Sequence, residues 1–254
     1  MPWQDVGGVR LFYREAGAGP ETLVLVHGNV ASSRWWDLVT PELSRRYRVI
    51  APDLRGFGQS GKPGEGYTVV QFARDLAALA EALQLPPAHF IGHSLGGSVV
   101  IQFALDHPAQ VRSLVLVDPG PAEGQYTAEE RYPLLAATAT SREYMKLAIA
   151  GVTPLAPRDG FFETLVDDAM LAGGVLIPIA RDLNAWNVQA RLGEIKAPTL
   201  VLQGEKDALV QLDALQRTVA GIPGARLEMV PGVGHSCEVE APAEFLRLIG
   251  AFLA

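Results

Sequence analysis

Apolar residues follow two different periods along the chain. Residues 22–26, 111–117 and 199–203 are predominantly apolar runs, which are typical of strands buried on both faces of a mainly parallel sheet. Between such runs, apolar residues recur every three to four positions, most clearly over 67–83, which predicts amphipathic helices. Because parallel strands need crossover connections, this alternation predicts an α/β protein whose mostly parallel sheet is flanked by helices.

The same periods assign most of the chain to individual elements. Strands are expected at Val9–Tyr13, Thr22–Val26, Tyr47–Ala51, Phe90–Gly92, Val111–Val117, Thr199–Gln203 and Arg226–Val230. Helices are expected at Ser33–Arg46, Tyr67–Leu83, Leu95 to about His107, Leu209–Ala220 and Ala243–Ala254.

A helical segment interrupts this alternation after Asp118-Pro119-Gly120. From there to about residue 190 no strand of comparable strength occurs, and three short helices are expected at Tyr126–Ala139, Ser141–Gly151 and Gly160–Leu171. An insertion of about 70 residues inside one sheet is expected to be a lid rather than an independent module. We therefore expect a core domain of residues 1–120 and 191–254, with a helical cap over residues 121–190.

Composition narrows the class of protein. The chain has 254 residues, 48% of them hydrophobic and 19% charged, which suits one large α/β domain. Its net charge of −7, without any run of Lys and Arg, argues against a nucleic-acid partner. Cys237 is the only cysteine and cannot form an intramolecular disulfide. Residues 1–5 lack the features of a signal peptide and no apolar run reaches ~18–20 residues, so we expect a cytoplasmic protein with no membrane partner.

The strongest chemical signal is the sequence Gly92-His93-Ser94-Leu95-Gly96. It lies between a predicted strand and a predicted helix, where a serine on a sharp, strained turn needs small neighbours. Such a turn exposes the Ser94 hydroxyl, and the new helix adds the positive end of its dipole. We interpret Ser94 as a candidate nucleophile.

A nucleophilic serine needs a base, and the base needs an orienting carboxylate. His235 is the only histidine late in the chain, in a loop at the carboxyl edge of the sheet, and is the candidate base. Asp207 and Asp118 each follow the carboxyl end of a strand. Asp207 is favoured because Gly204 permits a turn toward His235, and Asp118 is then expected to cap a turn before Pro119.

A tetrahedral oxyanion needs two donors, for which the backbone N–H groups of Leu95 and Asn29 are the candidates. His27 is expected to be buried and to hold the Asn29 loop. Candidate pocket residues are Trp35, Trp36, Tyr144, Met145 and Trp186.

Other site types are disfavoured. Residues 53–60 form a glycine-rich loop but lack the Gly-Lys-Ser/Thr of a phosphate loop, so Asp53 and Arg55 are expected to make structural hydrogen bonds. No His/Cys/carboxylate cluster has metal-ligand spacing, and no Gly-x-Gly-x-x-Gly follows a strand, so neither a metal nor a cofactor is expected. Cys237 is expected to be a buried, unreactive thiol.

Together these motifs resemble the α/β-hydrolase fold superfamily, in particular its short serine esterase and lactonase branch. The resemblance is carried by residues 25–29, 52–60, 92–97, 202–207 and 234–235 and covers nearly the whole chain. It implies an eight-stranded sheet with a lid after the sixth strand, no cofactor, and Ser94, Asp207 and His235 as a triad. It also implies Asn29 and Leu95 as the oxyanion donors.

The resemblance favours a hydrolase of carboxylic esters with small to medium, mostly apolar substrates. Dehalogenases and epoxide hydrolases of this fold carry an aspartate where this chain has Ser94, and the His-Gly-Gly-Gly loop of hormone-sensitive-type lipases is absent. A lactonase, a carbon–carbon bond hydrolase, a perhydrolase and a prolyl aminopeptidase remain alternatives. The peptidase would need a lid carboxylate for the substrate amine, for which the candidates are Glu129, Glu130, Glu143, Glu163, Asp167 and Asp168. A ligand-sensing receptor on the same scaffold is the alternative from a different class. The sequence leaves the oligomeric state open.

Overall fold

An eight-stranded sheet forms the centre of this computed structural model, which describes residues 3–254; Met1 and Pro2, part of the signal-peptide argument, lie outside the described residues. The strand order is β1-β2-β4-β3-β5-β6-β7-β8, antiparallel at β1–β2 and β2–β4 and parallel elsewhere. The strands are β1 Trp3–Val6, β2 Val9–Ala16, β3 Glu21–Val26, β4 Tyr47–Pro52, β5 Ala88–His93, β6 Val111–Val117, β7 Thr199–Gly204 and β8 Arg226–Val230. The predicted mostly parallel eight-stranded sheet is confirmed.

Strand β1 is the one strand that apolar periodicity did not predict. It is four residues long and pairs with β2 through Val6 and Val9. The two residues between them, Gly7 and Gly8, both have positive φ, at 51° and 82°. This is the two-residue hairpin turn that a Gly-Gly pair favours, so the turn residues carried a signal that the strand itself lacked.

Helices cover both faces of the sheet. They are α1 Thr40–Leu43, α2 Val69–Ala82, α3 Leu95–Asp106, α4 Tyr132–Thr140, α5 Arg142–Val152, α6 Gly160–Met170, α7 Leu176–Ala185, α8 Leu212–Gly221, α9 Cys237–Glu240 and α10 Pro242–Phe252. Alternate residues of each central strand enter opposite cores: Val24 and Phe90 pack with α2, α3 and α8, while Leu25 and Ile91 pack with α1 and α10. Burial on both faces explains why these strands are apolar runs rather than alternating ones.

The predicted helix over 33–46 is wrong as a single element. The chain instead forms a short 3₁₀ helix at Ser33–Trp36, capped by the Ser32 hydroxyl, and then α1. Pro41 lies in the first turn of α1, where its missing N–H is not needed, but it cannot sit in the interior of a continuous helix.

The segment between β6 and β7 is helical and contains no strand among its described residues. Helices α5 and α6 agree with the predicted ones to within one residue at each end, α4 begins at Tyr132 rather than at Tyr126, and α7 was not predicted. Pro178 is tolerated because it lies in the first turn of α7. None of the helices in residues 3–254 combines the length and apolar character that crossing a membrane requires.

Candidate active site

Ser94 lies at a strained turn between β5 and α3. Its φ of 52° and ψ of −117° are unfavourable for a residue with a side chain. A Cβ atom at Gly92 would lie 2.4 Å from the carbonyl oxygen of Gly96, and one at Gly96 would lie 2.2 Å from that of Val26. Both glycines are therefore required by close backbone approach, which is the physical basis of the Gly-x-Ser-x-Gly spacing.

The loop after β3 runs directly beside this turn. A Cβ atom at Gly28 would lie 3.1 Å from the Cβ of Ser94. The chain next to Asn29 therefore touches the turn at residues 92–96, which we call the elbow. Leu95 begins α3, where the first N–H groups have no partner within the helix. His27 is fully buried, accepts the Leu54 N–H at Nε2 (3.0 Å) and donates to the Gly28 carbonyl (2.7 Å). Burial lowers the pKa of His27, which suits a neutral ring that holds this loop.

Asp207 and His235 meet although they are 28 residues apart. The Nδ1 of His235 lies 2.8 Å from Oδ2 of Asp207, and both side chains are buried. Asp207 Oδ1 also accepts the N–H groups of Leu209 (2.7 Å) and Val210 (3.2 Å). Burial raises the pKa of Asp207, but the hydrogen bond and charge of His235, together with these N–H groups, outweigh it and lower the pKa.

Gly204 has a different role from the expected one. It does not adopt positive φ; instead a Cβ atom there would lie 1.8 Å from the carbonyl oxygen of Gly234. The end of β7 therefore packs against the loop that carries His235. This close approach brings Asp207 to His235.

Asp118 lies behind this pair and does not cap the turn before Pro119. Its Oδ1 accepts the Gly204 N–H from the neighbouring strand end (2.8 Å), and its Oδ2 has no partner although the residue is fully buried. Burial, and then the nearby charge of Asp207, raise the pKa of Asp118 well above its usual range. Burial and the Asp207 charge therefore favour the protonated form of Asp118 next to the Asp207–His235 pair, and the backbone φ of Asp118 is 43°.

These three residues also form a cluster that could hold a metal ion, since their ligand atoms lie within 4.8 Å of one another. The sequence spacing gave no sign of it. The 2.8 Å between His235 Nδ1 and Asp207 Oδ2 is a hydrogen-bond length. Ligands on a tetrahedral zinc at 2.0–2.2 Å would stand roughly 3.3 Å apart. The geometry therefore fits a shared proton better than a metal.

The loop that carries His235 is tied to the elbow through His93. The Nε2–H of His93 donates to the carbonyl oxygen of His235 at 2.8 Å, and the two rings lie 5.1 Å apart. On its other side, His93 Nδ1 lies 3.4 Å from Oε1 of Glu238, a fully buried carboxyl group. Trp35 stacks on the His93 ring at 5.9 Å. Sequence reasoning missed His93 and Glu238, because Glu238 resembles an ordinary acidic residue at a helix start.

The five predicted pocket residues lie in different places. Trp35 and Met145 are buried in one apolar cluster that joins the 3₁₀ helix to α5 and α6. Tyr144 is on α5 and half exposed. Trp36 is fully buried against Phe245 in the core on the α10 side of the sheet, and Trp186 is buried with its Nε1–H on Gln102.

Polar contacts hold the helical segment 121–190 against the sheet edge near His235. Ser236 donates its hydroxyl to the Val152 carbonyl at the end of α5 (3.1 Å). Glu240 accepts the N–H groups of Leu155 (2.9 Å) and Ser236 (3.2 Å). The segment therefore packs on the loop that carries His235.

A cavity of about 450 Å³ opens between the end of α6, at Asp168 and Leu171, and β2, at Phe12 and Arg14, and none of residues 92–97 lines it. Its charges are paired: Asp168 accepts the Ser32 hydroxyl (2.6 Å) and lies 3.3 Å from Arg34. Of the other carboxylates in segment 121–190, Glu163 and Asp167 pair with Arg142. These three groups are thereby occupied within the protein.

The remaining sequence expectations concern structural residues. Asp53 accepts the N–H groups of Ser33 and Gln59, and Arg55 pairs with Asp75 inside the protein. Cys237 is a free thiol in the core, where burial raises its pKa. All three expectations are confirmed.

Comparison with known proteins agrees with this architecture. The chain is 31% identical, over 98% of its length and 93% of the relative's, to a 2-hydroxy-6-oxo-6-phenylhexa-2,4-dienoate hydrolase of Comamonas testosteroni. It resembles the structure of Est816, described as an N-acyl homoserine lactone degrading enzyme, with a TM-score of 0.85 and 28% identity over 99% of this chain and 100% of that one. An esterase from Exiguobacterium antarcticum, 23% identical with 99% and 98% coverage, shares the fold with a TM-score of 0.89.

The family assignment rests on a longer match than any single motif. Residues 23–248 match the model of the alpha/beta hydrolase family. A match that runs from β3 into α10, and so includes Ser94, Asp207 and His235, shows that the chain belongs to the alpha/beta hydrolase family.

Proposed function

We propose that this protein is a serine hydrolase that cleaves carboxylic esters through an acyl-enzyme. The observation that supports this most is the position of His235. Its Nδ1 is held by Asp207 at 2.8 Å and its backbone is bonded to His93, the residue before the strained Ser94. These contacts support Ser94, His235 and Asp207 as the proposed nucleophile, base and orienting acid.

In the proposed reaction the Ser94 hydroxyl attacks the ester carbonyl carbon while Nε2 of His235 takes its proton. Asp207 keeps the proton on Nδ1 and stabilises the imidazolium that forms. The Asn29 and Leu95 N–H groups stabilise the oxyanion. His235 then returns its proton to the departing alcohol, and a water activated by His235 hydrolyses the acyl group on Ser94.

The proposal includes a cap, residues 121–190, over a core of residues 1–120 and 191–254. The apolar cluster of Trp35, Met145, Phe162 and Leu165 joins the two parts next to the elbow. The apolar character of this cluster supports a small to medium, mostly apolar substrate.

A carbon–carbon bond hydrolase is the second candidate, because a relative 31% identical over nearly the full chain is named a hydrolase of 2-hydroxy-6-oxo-6-phenylhexa-2,4-dienoate, a molecule without an ester or amide bond. A lactonase is a variant of the first candidate, supported by the resemblance to Est816. In each of these proposed reactions the same serine attacks a carbonyl carbon. The leaving group therefore distinguishes them.

A substrate panel tests the proposal. The purified protein is assayed with p-nitrophenyl butyrate, an N-acyl homoserine lactone and 2-hydroxy-6-oxo-6-phenylhexa-2,4-dienoate. We expect multiple turnovers of the ester, lost in Ser94→Ala and kept in Ser44→Ala, since the Ser44 hydroxyl only donates to the Pro41 carbonyl. Turnover retained in Ser94→Ala would overturn the nucleophile, preferential cleavage of the dienoate would favour the second candidate, and a single slow cycle with retained acyl group would indicate a receptor.

A further inference from the structure

Four buried polar atoms below the elbow have no hydrogen-bond partner of ordinary geometry. They are Nδ1 of His93, both carboxyl oxygens of Glu238 and Nε1 of Trp35. Their residues are nearly or fully inaccessible, with exposures of 3%, 0% and 2%. Unpartnered buried polar groups are costly, so a cluster of them next to the proposed base needs a reason.

Donor and acceptor counting places a proton between two of these atoms. Nε2 of His93 lies 2.8 Å from the carbonyl oxygen of His235, which only accepts, so Nε2 carries a hydrogen. The nearby Ser236 hydroxyl, 3.5 Å from Nε2, donates its own hydrogen to the Val152 carbonyl and confirms this tautomer. In a neutral ring Nδ1 is then an acceptor, and the atom 3.4 Å away is an oxygen of Glu238. Two acceptors face each other unless one proton lies between them.

We propose that Glu238 is a positioning residue for the base: the proton held between its carboxyl group and His93 keeps the Nε2–H of His93 on the carbonyl oxygen of His235. This inference rests on the proposed role of His235. If the proton is lost, His93 has one hydrogen for two acceptors. Either Nε2 keeps it and Nδ1 faces a carboxylate, or Nδ1 takes it and the contact with His235 is lost.

The surroundings of Glu238 favour the neutral pair. The indole of Trp35 approaches the carboxyl from the 3₁₀ helix, His93 from β5, Asp118 from the end of β6, and Cys237 and Glu240 from its own helix. None of these is a fixed cation, and the Glu240 charge disfavours a second carboxylate. Burial is the main cause that raises the pKa of Glu238 to about 8, and burial lowers the pKa of His93 to about 3.

The test compares Glu238→Gln, Glu238→Met and, as a control, Glu244→Gln, whose carboxylate pairs with Arg247 on the surface. Values of kcat and KM for p-nitrophenyl butyrate are measured from pH 6 to 10. We expect kcat of the wild type and of Glu244→Gln to fall about tenfold above pH 8. Glu238→Gln donates an amide N–H and does not ionise. Its kcat should therefore stay within threefold of the wild-type value at pH 7 and should not fall above pH 8. Glu238→Met should lower kcat about tenfold at every pH, as for loss of a supporting hydrogen bond, with KM within twofold.

A second readout does not need catalysis. Imidazole ¹⁵N spectra, with His93 assigned by a His93→Asn variant, should show Nε2 protonated at pH 7 and a change with a midpoint near pH 8. The change should be absent in Glu238→Gln. An alkaline fall or a ¹⁵N transition that persists in Glu238→Gln would overturn the inference. If no protein hydrolyses the ester, the proposed function fails and the ¹⁵N spectra alone decide whether Glu238 and His93 share a proton.

Discussion

The Asp207–His235 and Glu238–His93 pairs consist of the same two chemical groups, and their imidazole rings lie 5.1 Å apart. The Asp207 carboxyl accepts three hydrogen bonds, one from His235 and two from backbone N–H groups. Both carboxyl oxygens of Glu238 have no partner of ordinary geometry among the described residues. Burial raises the pKa of both groups, but only in Asp207 do the donors overcome it.

The difference shows that a histidine hydrogen bond of ordinary length, together with backbone donors, decides which buried carboxyl is ionised. An ionised Asp207 can stabilise a positive charge that develops on His235 during the proposed reaction. A neutral Glu238 does not compete for the positive charge on His235, and its carboxyl group can serve as a hydrogen-bond donor instead. Two similar pairs are thereby suited to separate tasks, one electrostatic and one positional.

Asp207→Asn should have the largest effect, because it removes the charge and favours the wrong tautomer of His235. We expect kcat/KM for p-nitrophenyl butyrate to fall by about 10³–10⁴. Asp213→Asn is the matched control, since Asp213 is an exposed partner of Arg217. A loss of less than tenfold in Asp207→Asn would mean that another carboxylate orients His235.

Much of this arrangement could be predicted because positions where two backbone segments approach closely require glycine. A Cβ atom at either glycine beside Ser94 would lie only 2.2–2.4 Å from a backbone carbonyl oxygen, so both positions require glycine. The motif therefore indicates the elbow from the sequence alone. The expectation that Ser94, Asp207 and His235 could meet follows from strand ends that share one edge of a parallel sheet. Periodicity then predicts the strands, since burial on both faces demands apolar runs.

The remainder depends on tertiary contacts that local sequence does not record. Helix α7 was not predicted, and it carries Pro178 in its first turn, where a missing N–H is not needed. Glu238 has the sequence context of a solvated helix start, and only the packing of Trp35 and His93 around it makes it a buried acid. Asp118 follows its strand as expected, but its hydrogen bond crosses to Gly204 on the next strand.

Glu238→Gln should also change stability with pH. The pKa of Glu238 rises from 4.5 to about 8 on folding, so the folded protein binds more protons than the unfolded chain in that window. The contribution of Glu238 to the free energy of unfolding therefore falls as pH rises from about 4.5 to about 8, and Glu238→Gln is free of this loss. Between pH 4.5 and pH 7, we expect the free energy of unfolding of Glu238→Gln to rise by roughly 3 kcal/mol relative to that of the wild type. Urea denaturation at several pH values measures this, and a difference that does not vary with pH would contradict it.

Asp118→Asn should have the smallest effect on activity, and it tests whether the comparison extends to a third carboxyl. Because the protonated form of Asp118 is favoured, an asparagine keeps its shape, and its Oδ1 can still accept the Gly204 N–H. The amide nitrogen then takes the place of Oδ2, which has no hydrogen-bond partner of ordinary geometry among the described residues. We expect kcat/KM within about threefold of wild type, since a neutral group is replaced by a neutral group of the same size. A fall of a hundredfold or more would mean that Asp118 is ionised, so that hydrogen-bond donors fail to explain which of these buried acids carries charge.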